Sequence, residues 1–250
     1  MSLIRCAVQQ LQSTVFDRAV ADLIIVGFFY LLRPGEHCYN KENDTPFRLQ
    51  DVSFTIPNHA PTNVNACQST ADLRGSASLV HLNFTNQKNG RKDEAVTHGV
   101  TPDPMLSPLH AVARRVAHLQ AHSASADTPL HTVFLPTGPA RVTGRHITTA
   151  LRRSCTVVGP SVGLNHHDIS ARALRAGGAM ALLRAGVDST EARLMGRWRS
   201  WAMIEYLHQC AFDTTTFATR MLTGGAFVIQ RHAKLPSDVQ ARLEARLVAA

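Results

Sequence analysis

Between Leu23 and Leu32 the chain reads "LIIVGFFYLL", ten residues without a charge, and then meets Arg33 and Pro34. In a helix such a run spans about 15 Å, roughly half the hydrocarbon thickness of a bilayer, so it is a buried helix end and not a membrane span. The start "MSLIRCAVQQ" has no signal-peptide apolar region. Upstream, Val8, Leu11, Val15, Ala19 and Leu23 recur at helical spacing, which predicts helix over residues 2–32, stopped by Pro34-Gly35. Arg33 is the awkward residue. A cation adjoining so apolar a segment is drawn into the interior, where it needs an anionic partner. Glu36, three residues on, supplies one within the chain. An Arg33 aimed into a cleft toward a ligand anion is the other reading.

The period then changes. "FRLQDVSFTI" (residues 47–56) alternates apolar and polar residues, which predicts a strand with an irregularity near Asp51. Residues 57–77, rich in Pro, Asn, Ser and Ala, are expected to be a loop. "LVHLNFT" alternates again, Asn89-Gly90 is a hairpin turn signal, and "EAVTHG" returns as the partner strand. Beyond residue 104 the pattern is helical to the end. Helices are expected over 105–122, from Thr143 as cap through Cys155, over 170–184 closing at Gly186, from Asp188 to Gly196, and over 199–211 and 214–222. "SASADTP" and "VVGPSVGLNHHD" are expected loops. The fold class is α+β, mostly α-helical with one small antiparallel sheet.

At 250 residues the chain can bury a substantial core. Its formal charge of +8 attracts polyanions, and nucleic acid is the first partner class to consider. Five widely spaced cysteines without a CxxC pair argue against a disulfide framework or a zinc ribbon and for a reducing, intracellular setting. The thirteen histidines are not expected to form a metal site, and no cofactor motif is present.

Three further features need a reason. Arg175 lies in "RALRAGGAMALLRAG", whose interior Gly177-Gly178 costs about 1 kcal/mol per glycine against alanine. That cost is tolerated where another backbone must come close, so Arg175 is expected beside a tight helix crossing. A solvated position among Arg172 and Arg184 is the plainer alternative. Lys88 is at the tip of the predicted hairpin, where lysines usually face water. "MGRWRSWAMIEYLH" (residues 195–208) holds both tryptophans and one of the three tyrosines of the chain. Arginine stacked on indole and a boundary tyrosine would suffice to explain that stretch alone.

In their order along the chain these residues resemble the catalytic domain of the tyrosine recombinase (phage integrase) family. "LLRPGEH" is similar to the family's first arginine with an acid three residues on, through Arg33 and Glu36. "FTNQKNGRKDE" matches its hairpin lysine, through Lys88. "RALRAGGAMALLRAGV" resembles its His-x-x-Arg helix, through Arg175. "MGRWRS" resembles the Gly-x-Trp box, through Trp198, and Tyr206 stands eight residues later, where the family keeps its nucleophile. "GRW" and "LRAGGA" look most like the branch found in eukaryotic mobile elements and some phage-like relatives. The resemblance covers roughly residues 15–223.

The resemblance implies breakage and rejoining of double-stranded DNA without metal or cofactor. Tyr206 would attack a backbone phosphate to give a 3′-phosphotyrosyl link and a free 5′-hydroxyl. Arg33 and Arg175 would clamp the phosphate oxygens, Lys88 would protonate the leaving oxygen, and Trp198 would buttress the site. It also implies a homo-oligomer on DNA, no membrane association, and a nuclear location if the host is eukaryotic or a cytoplasmic one if not. Two departures stand out. Arg172 occupies the place of the family histidine, and a guanidinium cannot accept a proton. Arg33 also comes too early to leave room for the N-terminal core-binding domain, which is expected to be absent from this sequence, either because the sequence is a fragment or because half of a DNA clamp is lost. The catalytic domain is expected over residues 1–225, and residues 226–250 are expected to form a tail with an amphipathic helix. A catalytically impaired DNA-binding remnant, or a basic helical scaffold for RNA or an acidic protein, are the competing readings.

Overall fold

The structure is a computed structural model describing residues 1–57, 62–67, 73–85 and 94–198. Lys88, Tyr206 and the expected elements beyond residue 198 lie outside the described residues, as does the expected domain boundary at 225.

Residues 2–32 are two helices, not one. Helix α1 (Ser2–Gln10) and helix α2 (Val15–Phe29) are separated at Leu11–Thr14. A reciprocal capping box forces the restart: Thr14 Oγ1 accepts from Asp17 N at 3.0 Å, and Asp17 Oδ2 accepts from Thr14 N at 3.2 Å. The apolar spacing runs across the break because both helices face the same core. Helix α2 is buried from Ala19 through Phe28, including Asp22. That carboxylate receives Arg114 Nε at 2.8 Å and Nη2 at 2.5 Å from helix α5 (Pro108–Ala121). Burial raises the Asp22 pKa and Arg114 opposes the rise.

After helix α3 (Pro34–His37) the expected strand over 47–56 begins only at Val52. Leu49–Asp51 is a 3-10 turn, closed by Asp51 Oδ2 accepting from Arg48 N at 2.8 Å. Four strands follow: β1 (Val52–Ile56), β2 (Thr62–Asn65), β3 (Leu79–Phe84) and β4 (Glu94–Gly99), with the short helix α4 (Leu73–Ser76) between β2 and β3. They pair antiparallel in the order β2-β1-β3-β4. Strand β2 falls in the segment expected to be a loop. It lies at the sheet edge, where pairing needs backbone bonds but no apolar alternation. Strands β3 and β4 have the expected residues.

The region after α5 departs most from expectation. A hairpin of β5 (Thr132–Leu135) and β6 (Gly138–Arg141) stands where no strand is expected. Arg115 anchors it from α5, donating to the carbonyls of Leu130, at 3.0 Å, and Thr132. Helix α6 (Gly144–Val162) is capped by Thr143 as expected but continues seven residues past Cys155, through Pro160. Proline in the last turn forfeits a single helical bond there, and Gly163 (φ +69°) closes the helix by donating to Gly159 O. Helix α7 (Ala173–Arg184) ends before Gly186, at φ +85°. Helix α8 (Ser189–Met195) starts where Asp188 Oδ1 accepts from Thr190 N at 2.7 Å. Among the described residues no helix is long and apolar enough to cross a membrane.

Candidate active site

The site is built at the end of α2. The helix stops at Tyr30, Leu31 takes a left-handed conformation (φ +51°), and Pro34 restarts the chain as α3. This reversal delivers Arg33 at the surface of the core with its side chain 36% exposed. Arg33 Nη1 donates to Glu36 Oε1 at 3.2 Å, and its backbone N–H donates to Glu36 Oε2 at 2.7 Å. The internal ion pair weighed from the sequence therefore exists. The side chain is still partly exposed, so the ion pair does not bury it completely. His37 lies beneath, fully buried, its Nδ1–H donating to Arg33 O at 2.9 Å. Burial holds this ring neutral, with its pKa pushed down to about 4.

Helix α7 meets that junction at a close crossing. A Cβ on Gly178 would lie 2.3 Å from Phe28 O and 2.4 Å from Leu31 Cδ2. The glycine pair thus has the predicted reason: the backbone of α2 occupies the space a side chain would need. Gly177 is looser, with only the Phe28 ring at 3.5 Å. The crossing buries Arg175 to 8% exposure. Its Nη2 donates to Gly196 O at 2.5 Å, and its Cζ stands 4.4 Å from the centre of the Trp198 ring. Trp198 in turn lies on Gly196, where any Cβ would fall inside the indole. The plain stacking explanation for "GRW" is therefore part of the answer.

Arg197 is the residue that sequence reasoning missed. It is buried to 6% exposure and adopts φ +58°, a region costing a non-glycine residue about 1–2 kcal/mol. Its Nη2 donates to Glu36 Oε2 at 3.1 Å and to Leu31 O at 3.4 Å. Its Nη1 donates to Met195 O at 3.0 Å and to Tyr30 O at 3.3 Å. Its Cζ sits 3.9 Å from the centre of the Phe84 ring, at the end of β3. Burial lowers its pKa and Glu36 opposes the shift. The only sequence hint was a second arginine beside Trp198 in a box already explained by the indole.

Arg33, Glu36, Arg197, Gly196, Arg175 and Trp198 thus form one connected set. Arg172 is exposed at the start of α7. His166 and His167 are also exposed, in a 3-10 turn before it, their rings 3.9 Å apart. A small cleft runs past Glu36 and Phe84, but its Asp44 and Asp51 walls would repel phosphate. No cluster of three metal-ligating side chains occurs among the described residues. His118 on α5 and His122 at its C-cap do stand four apart, a pair passed over in the sequence. His118 Nε2 is taken by the Phe134 backbone N–H at 2.9 Å, which fixes the ring to the β5 hairpin.

No family model and no curated protein matches the sequence. Solved structures do match. One is the XerH site-specific recombinase bound to difH substrate in a pre-cleavage complex, with a TM-score of 0.53 and 14% identity. The match covers 89% of this chain and 53% of that one, so the chain spans about half its length. The fold is accordingly of the tyrosine-recombinase catalytic-domain type: mostly helical, with a small antiparallel sheet.

Proposed function

We propose that the chain binds double-stranded DNA and breaks and rejoins it through a 3′-phosphotyrosyl intermediate on Tyr206. The observation that carries this reading is the junction of two arginines on separate helical segments. Arg33 and Arg175 are tied through Glu36, Arg197 and Gly196 in a fold of the recombinase type. Two guanidinium groups suit the charge that builds on non-bridging phosphate oxygens during transesterification. Lys88 is assigned the proton delivered to the leaving 5′-oxygen and Trp198 the support of the phosphate, with no metal or cofactor. Charge distribution supports DNA as partner. From Thr128 to His167 there is no Asp or Glu, while Arg141, Arg145, Arg152 and Arg153 fall there, all exposed. Assembly as a homo-oligomer on DNA belongs to the same proposal, as do recombination or integration of a mobile element and a nuclear or cytoplasmic location according to the host.

Arg172 favours a second reading, a DNA-binding remnant with impaired cleavage, because its guanidinium offers no lone pair to take a proton from Tyr206. One experiment separates the two. The full chain is incubated with nicked duplexes drawn from a random pool, and covalent protein–DNA adducts are counted after denaturation. Adduct from the wild type and none from Tyr206→Phe, with equal duplex binding, supports cleavage. Equal binding with no adduct from either supports the remnant.

A further inference from the structure

We infer that Arg197 is a positioning residue: it latches the segment carrying Trp198 and leading to Tyr206 onto Glu36, and through Glu36 it sets the guanidinium of Arg33. The inference rests on the proposed function for the meaning of "set", but the latch itself is a matter of contacts.

Four observations converge on it. Arg197 is buried, yet its donors go to three different places in the chain: Glu36 on α3, the carbonyls of Tyr30 and Leu31 at the end of α2, and Met195 at the end of α8. Its planar group lies on Phe84, the last residue of β3 and four residues before Lys88. The chain around Arg33, the end of α8 before Trp198 and the last residue of β3 therefore meet at this guanidinium, while Arg175 comes in separately from α7. Glu36 is shared, with Oε2 receiving Arg197 and the Arg33 backbone while Oε1 receives the Arg33 side chain. Finally, the two non-glycine residues with left-handed backbone at this junction, Leu31 and Arg197, are joined directly by the Arg197 Nη2–Leu31 O bond. Backbone held in such a conformation persists where surrounding contacts over-determine it.

The consequence is specific. With Arg197 in place, the Glu36 carboxylate is shared between two cations and holds the Arg33 guanidinium by one oxygen only. Without Arg197, Glu36 is left with Arg33 alone and draws that guanidinium inward, away from a phosphate. The Trp198 segment at the same time loses its bonds to α2 and α3. Displacements of this size cost rate more than affinity, since a misplacement of about 1 Å can reduce turnover about a hundredfold.

The test uses the full chain with Arg197→Met, Arg197→Lys, Glu36→Gln and the Glu36→Gln/Arg197→Met double variant. The double variant removes both buried charges, so it keeps the proposal testable if Arg197→Met alone fails to fold. Expected are unchanged duplex affinity, a cooperative melt, and adduct formation slowed by about tenfold or more in the Met and double variants. Arg197→Lys keeps one donor for Glu36 and should recover part of the rate. Because both residues act through one carboxylate, the double variant should be no slower than Arg197→Met, or than Glu36→Gln if the single Met variant is unfolded. A wild-type rate in the Met or double variant, or effects that multiply, overturns the latch. If the wild type yields no adduct, the proposed function fails separately and the latch is read from fluorescence. In a Trp201→Phe background, Trp198 emission should shift to the red and become more accessible to acrylamide once Arg197 is removed. Unchanged emission and quenching overturn the inference.

Discussion

Two adjacent glycines in α7 should respond to the same substitution with opposite signs. In a helix interior each Gly→Ala change contributes about 1 kcal/mol of helix propensity. Neither glycine has positive φ, so backbone strain does not enter. At position 177 the new methyl would touch the Phe28 ring at 3.5 Å, an ordinary contact, and the propensity gain should stand. At position 178 it would lie 2.3 Å from Phe28 O, which is backbone and cannot rotate away. Relieving the clash to about 3 Å requires α7 to move off α2 by roughly 0.7 Å, and overpacking of this kind costs about 1–3 kcal/mol. Gly177→Ala should therefore stabilise, and Gly178→Ala should be neutral to destabilising, with a gap of about 2 kcal/mol between them. For a chain of this length that gap is about 4–8 °C in melting temperature. Thermal and urea melts followed by circular dichroism measure it. Because α7 carries Arg175, Gly178→Ala should also slow adduct formation on nicked DNA while Gly177→Ala leaves it alone. Equal stabilisation by both alanines would refute the close crossing and the reason given for the glycine pair.

Arg172→His restores a group able to take a proton, so adduct formation should rise while DNA affinity changes little; a wild type that already cleaves as fast excludes this position as the bottleneck. Duplex binding should weaken steeply with salt, each neutralised phosphate adding about −0.9 to the slope of log K against log salt; a flat response across physiological salt contradicts the charged footprint. His37 should make stability sensitive to acid. Its folded pKa of about 4 lies below the unfolded 6.5, so its contribution is complete above pH 6.5 and is lost as pH falls toward 4. The loss is on the order of 3 kcal/mol. His37→Asn, which preserves the donor to Arg33 O, should flatten the pH dependence of urea stability across that window, and an unaltered slope would exclude His37 as its source.

The sequence alone determined those features that local chemistry decides. A ten-residue apolar run cannot end in a cation without a partner, and Glu36 was within one helical turn. Thr143, Asp188 and Gly186 mark helix ends because caps and left-handed turns are satisfied by their own side chain or their lack of one. The glycine pair forecast a close helix crossing because nothing else offsets its propensity cost. Strand β3 was legible because one face is buried and the other is not, and β4 because the Asn89-Gly90 turn signal announces a return strand. Strands β2, β5 and β6 were illegible because short or edge strands are held by backbone bonds and distant anchors such as Arg115, which leave no periodic trace. Only the tertiary structure decided the role of Arg197. An arginine in a polar-looking box has no sequence mark distinguishing water from a buried carboxylate 161 residues away. That choice is made when α7 packs against α2, because only then do Glu36, the freed carbonyls of Tyr30 and Leu31, and the Phe84 ring converge on one desolvated point that a guanidinium can satisfy.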